Sequence, residues 1–159
     1  MTEFEPRLFA SDAEIAHLGE GLLACTLRRE EWTHEAHLAA TTYLLLRRPD
    51  VDLDSELPRI IRRFNESVGG VNSDSEGYHE TITRTFLHGV RLFLEGADAD
   101  QSVCGLVNLL LLSPMGRRNW PLRSYSPELL SSVEARRRFV EPDLQPLRRA
   151  GDCLAGQGC

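Results

Sequence analysis

The chain has 159 residues, 42% of them hydrophobic, and a net charge of −6, which fits one domain around a single core. The acidic balance disfavours a nucleic-acid partner, because neutralising phosphates needs a basic face, and no stretch of 18 or more apolar residues offers a membrane span. All 18 basic residues are Arg, which removes Schiff-base chemistry and a phosphate-binding P-loop, since both need a Lys amine. With no signal-peptide pattern, the expectation is a cytoplasmic protein whose partner is a small molecule.

Five main helices are predicted, with few strand signals. Ser11-Asp12-Ala13-Glu14 forms a capping box, and Ile15, Leu18, Leu22 and Leu23 then repeat at helical spacing. The first helix is thus expected over Asp12–Cys25, with His17 on its outer side. The second begins after Thr33, a good N-cap, and stops before Pro49, with His34, His37, Leu38, Thr41, Leu44 and Leu45 inward. The third starts after Ser55, tolerates Pro58 in its first turn, and ends at Gly69-Gly70. Its inward residues are Leu57, Ile60, Ile61, Phe64 and Val68. After a polar loop over 72–77, a fourth helix runs from Tyr78 to Glu95 with Ile82, Phe86, Val90 and Phe93 inward. His79 falls on that stripe and His88 lies opposite, at the surface. The fifth follows Asp98 or Asp100 with Val103, Leu106, Val107, Leu110 and Leu111 inward.

Beyond Pro114 the chain turns rich in Arg, Pro and aromatics, and Ser126 and Ser131-Ser132 each start a short helix. The expected fold is all-α: an up-down bundle of four to five helices over 12–112, a covering segment over 113–150 and a flexible tail over 151–159. Cys25 and Cys104 read as small buried hydrophobes. Cys153 and Cys159 flank the Gly-rich tail, where a disulfide or redox role competes with a frayed terminus.

Three of the five histidines open two helices, in Trp32-Thr33-His34-Glu35-Ala36-His37 and Tyr78-His79-Glu80-Thr81-Ile82-Thr83. Alternating helix direction places the starts of the second and fourth helices at one end of the bundle. Residues i and i+3 share a helix face, so His34 and His37 can converge on one ion. With His79 they make a three-histidine set with an open position, the pattern of catalytic metal sites, for a divalent transition metal such as Zn or Fe. Glu80 is the candidate general base or fourth ligand. Thr83 extends the polar pocket for a substrate, and Asn65, near the end of the third helix on the same side, is a candidate for positioning a substrate or orienting a His. Arg123 and Tyr125 on the covering segment are candidates for binding an anionic substrate.

Two other readings stand beside this one. Glu31-x-x-His34 and Glu76-x-x-His79, with Glu20 and Glu66, match the ligand types of a di-iron carboxylate bundle. Alternatively, the histidines cap helices and pack, and the protein is a non-enzymatic module binding a ligand or partner.

The motifs Trp32-Thr33-His34-x-x-His37, Phe64-Asn65 and Tyr78-His79-Glu80-Thr81-x-Thr83 resemble those of an uncharacterised family of small bacterial helical proteins, over about residues 30–95. The resemblance groups these residues and implies no activity. In ligand type the set is also similar to that of DinB-like bundles, whose three histidines hold a metal used in thiol transfer. Their paired histidines are spaced His-x-x-x-His, one residue wider than His34 and His37.

Overall fold

The computed structural model describes residues 5–147, and the described residues are helical with no strand. Five main helices are present: α1 (Asp12–Ala24), α2 (His34–Arg47), α3 (Leu53–Ser67), α4 (Glu80–Glu95) and α5 (Val103–Leu112). Two short ones follow, α6 (Pro127–Leu130) and α7 (Val133–Arg137). Cys153 and Cys159 lie outside the described residues.

Side-chain caps explain where most of these helices start. Ser11 Oγ accepts from Glu14 N, Thr33 Oγ1 from Ala36 N and Ser102 Oγ from Gly105 N, each satisfying a first-turn N–H that has no helical acceptor. Ser126 and Ser132 do the same for α6 and α7. Helix α3 starts three residues earlier than expected. Asp52 caps Asp54 N while Glu56 Oε2 reaches back to Asp52 N at 2.9 Å, so Pro58 sits inside the helix rather than in its first turn. Helix α1 ends at Cys25, which adopts left-handed backbone (φ 56°) as the C-cap and is half-buried against the core. Cys104 is half-buried, and its thiol donates to Phe9 O.

The alternation of direction holds from α2 to α4. Trp32 before α2 meets Phe64 at the end of α3, with ring centroids 5.3 Å apart. Asp54 at the start of α3 bonds Arg91 late in α4. Helix α1 instead runs alongside α2 in the same sense: His17 pairs with Glu31, Gly19 lies against Tyr43, and Glu20 pairs with Arg48. The connection 25–33 therefore returns along α1, with Leu27 against Gly21.

Helix α2 occupies the middle, and its buried face is not the expected stripe. Ala36, Leu38, Ala39, Ala40, Thr42 and Leu44 are buried, whereas His34, His37, Thr41 and Leu45 are half-buried. Small side chains allow the close approach at Gly19, where a methyl group would overlap the Tyr43 ring. In α4, likewise, Thr81, Thr85, Leu87, Val90 and Leu92 are buried, while Ile82, Phe86 and Phe93 are half-buried. The expected stripe on α5 is buried throughout.

After α5 the chain wraps α4. Thr81 Oγ1 donates to Arg138 O and accepts from Val140 N, Leu144 N donates to Ser124 O, and Arg137 pairs with Asp74. No helix among the described residues is long and apolar enough to cross a membrane.

Candidate functional site

The half-buried faces of α2 and α4 border a cleft rather than the core. One lobe, of about 410 Å³, is lined by His34, His37, Leu38 and Thr41 of α2, Leu57 and Ile61 of α3, Ile82, Thr83, Phe86 and Leu87 of α4, and Arg118. A second lobe, of about 550 Å³, runs on over Phe64, Asn65, Tyr78 and His79 to Arg29, Glu76 and Arg136. Trp32, His37, Ile61, Ile82 and Thr83 line both lobes. His37 borders both lobes, His34 only the first and His79 only the second.

Each imidazole is held by a backbone carbonyl. His34 Nε2 donates to Gly116 O at 2.8 Å, and His37 Nδ1 donates to Thr33 O at 2.7 Å. His79 Nε2 donates to Leu130 O at 2.8 Å, while its Nδ1 accepts from Ile82 N at 3.2 Å. A carbonyl can only accept, so these bonds fix the tautomers. They leave a lone pair on His34 Nδ1 and on His37 Nε2, whereas both nitrogens of His79 are engaged. His79 is the N-cap of α4 and only 8% exposed. The helix begins one residue after it, so the expected start at Tyr78 is corrected.

The rings are held neutral. Burial lowers the pKa of His34 and His79, partly offset by their carbonyl bonds. His37 goes furthest, to about 4: burial dominates, opposed by the Thr33 bond and reinforced by His34 and Arg118. Its ring is half-buried in area, yet it stacks on Trp32 with centroids 3.9 Å apart. That indole displaces the water an imidazolium would need. Trp32 Nε1 is itself buried and meets no acceptor among the described residues.

Among the described residues, no group of three or more His, Cys, Asp or Glu is placed to hold a metal ion. The carboxylates offered for a dinuclear site are dispersed. Glu20 pairs with Arg48 and Tyr43, Glu31 with His17 and Arg28, and Glu66 lies by Asn72, while Glu76 is exposed on its loop.

The other expected site residues divide. Thr83 lines both lobes, and Asn65 lines the outer one. Asn65 Nδ2 donates to Asn72 Oδ1, which also accepts from Tyr78 N, so Asn65 braces the loop carrying Tyr78 and His79. Glu80 lines neither lobe. It is held by Arg84 Nε at 2.6 Å and by the Tyr78 hydroxyl. Tyr125 is fully buried and its hydroxyl donates to Val140 O, so it fastens the covering segment. Arg123 is exposed and lines neither lobe. The covering segment contributes Arg118 and Arg136 instead, the latter donating to Gly77 O and Tyr78 O. Trp32 was legible as part of the first motif. The two arginines were not, because nothing local marks which of many Arg residues folds back onto the cleft. His17 is exposed, as expected, and His88 is half-buried. Compared with known protein families, curated proteins and solved structures, the chain matches none.

Proposed function

We propose that this protein binds a small organic molecule in the cleft between α2, α3 and α4, with His37 and Trp32 as its polar anchors. The observation that carries the reading is the wall shared by both lobes. There His37 retains an acceptor nitrogen and Trp32 holds a buried N–H without an acceptor among the described residues. A mostly apolar cleft with a few convergent polar groups is the usual form of a small-molecule site. Arg29, Arg118 and Arg136 against the single carboxylate Glu76 favour an anionic ligand. An imidazole with a pKa of about 4 is a weak general base at neutral pH, where catalysis favours a value near 7. That argues for recognition over proton-transfer chemistry.

The test is a small-molecule library screened by amide NMR, repeated on Thr83→Trp, which fills the shared part of the cleft. Ligands should shift amides around His37, Thr83 and Asn65 and lose binding in the variant. Ligands that bind elsewhere and ignore the variant would sink the reading.

A second reading is a mononuclear divalent metal, Zn or Fe, on His34 and His37, with an enzymatic role. It is favoured by one observation: each ring donates its other N–H to a backbone carbonyl, the arrangement that orients metal-bound histidines. His79 would join only by giving up its cap to Ile82. Elemental analysis of untagged protein decides it. Less than about a tenth of an equivalent per chain ends the metal reading and leaves the first intact.

A further inference from the structure

A separate cavity of about 410 Å³ lies between the first half of α1 and the first turn of α2, sharing only Thr33 with the histidine cleft. Its charged lining comprises Glu14, Glu30, Glu31 and Glu35 against Arg7, with His17 bonded to Glu31. Phe9 and Leu18 supply apolar wall. Acidic residues at a cavity mouth are ordinary solvated surface; Glu35 is not. It is 8% exposed, and its Oε2 receives only a long bond from Arg7 N at 3.4 Å. Its Oε1 is out of solvent contact and has no hydrogen-bond partner among the described residues.

A first-turn position gives the carboxylate the positive end of α2. That partial charge supplies Oε1 with no donor. Buried polar atoms are nearly always paired, and a buried carboxylate oxygen left alone is costly enough to call for a partner that the described residues do not supply. No group of three or more metal-ligating side chains gathers around it among the described residues, which favours a partner that needs no coordination shell. An organic cation fits, because it needs a single charge-assisted hydrogen bond and an apolar wall rather than a coordination shell.

We propose that this cavity binds a small organic ammonium ion, whose N–H donates to Glu35 Oε1 while its apolar body rests on Phe9 and Leu18. Glu14 and Glu30 raise the local concentration of cations at the mouth. The volume is within the range of small-molecule sites, so either a free amine or the lysine side chain of a peptide fits the same chemistry. The proposal does not depend on the function assigned to the histidine cleft.

Phenethylammonium is titrated into the full-length, isotope-labelled protein, with Nα-acetyl-lysinamide in a parallel arm to represent a peptide lysine. Saturable amide shifts are expected within 9–18 and 30–36, and whichever amine saturates first identifies the source. Phenethyl alcohol, of the same shape but uncharged, should shift nothing. Glu35→Gln should weaken binding at least about tenfold, the cost of removing one charge from a close pair. Ala13→Phe, at an exposed lining position, should occlude the cavity and abolish the shifts without disturbing the core. It carries the test if Glu35→Gln does not fold. Thr83→Trp, in the other cleft, should leave amine binding unchanged. Equal binding of the alcohol, unchanged binding to Glu35→Gln or Ala13→Phe, or no saturation by either amine overturns the proposal.

Discussion

Replacing His79 with Ala separates a capping histidine from a metal ligand. In the wild-type protein Nδ1 accepts from Ile82 N, and Nε2–H donates to Leu130 O in a residue that is 8% exposed. Loss of an N-cap side chain costs about 1 kcal/mol. Leaving the buried Leu130 carbonyl without its donor costs about 1–3 kcal/mol. Together these predict a loss of about 2–4 kcal/mol, or a melting temperature lower by roughly 5–15 °C for a domain of this size. His79→Asn can still cap Ile82 N but cannot reach Leu130, so it should recover about 1 kcal/mol of that loss. The assay is urea denaturation at pH 7.5, where His79 is neutral, with and without EDTA. A change in midpoint at constant slope is the expected signature. If His79→Ala costs less than about 0.5 kcal/mol, below any named mechanism of destabilisation, the capping account fails. If EDTA alone lowers the wild-type protein to the level of the mutant, the ring is held by a metal and its two backbone bonds are incidental.

Two further outcomes follow from the same cleft. With a folded pKa of about 4 against an ordinary value of 6.5, His37 binds fewer protons folded than unfolded between those values. Its contribution is therefore fully present above pH 6.5 and falls progressively down to pH 4, by up to about 3 kcal/mol. The lowered pKa values of His34 and His79 act in the same direction. Stability measured across that range, with the His37 ring followed by NMR, checks this; a ring titrating near 6.5 refutes it. Gly116→Ala should cost about 2–4 kcal/mol, because its methyl group would overlap Leu110 O and Leu111 Cα and push away the carbonyl that His34 bonds. Urea denaturation and the His34 ring resonances would show it, and an unchanged midpoint would mean that the turn gives way freely.

How much of this was legible in the sequence depended on whether the signal was local. Ser11, Thr33, Ser126 and Ser132 announced their helices because a hydroxyl three residues before a free N–H is a local device. His79 announced nothing of the kind. Imidazole is an uncommon cap, and its periodic spacing with Ile82 and Phe86 read as the first turn of a stripe. The placement of the starts of α2 and α4 at one end was also legible, since it follows from short connections between α2, α3 and α4. The stripes on α2 and α4 were misread for a physical reason. Ala36, Ala39 and Ala40 carry little hydrophobic weight, yet they are fully buried, in a helix whose Tyr43 ring lies against Gly19 of α1. The partners of the histidine rings lay beyond reach: Gly116 is 82 residues from His34, and Leu130 is 51 from His79.

The first turn of α2 carries two imidazoles and a carboxylate within four residues, directly after an indole. A fully enclosed turn could not carry them all, because each needs a partner that a hydrocarbon core lacks. Successive side chains project 100° apart, so His34 and His37 fall on one face while Glu35 falls on another. The first face borders the α2–α4 cleft and the second borders the cavity against α1. Thr33 joins the two: its carbonyl accepts both the backbone N–H and the ring Nδ1–H of His37, and its hydroxyl caps Ala36 on the other side of the same turn. A face bordering a cavity shows the same residue period as one bordering a core, which is why spacing alone assigned these histidines to the interior. What distinguishes the two is the polar atoms left without protein partners. Among the described residues Trp32 Nε1 is such an atom on one side of α2 and Glu35 Oε1 on the other, so the donor calls for an acceptor and the acceptor for a donor.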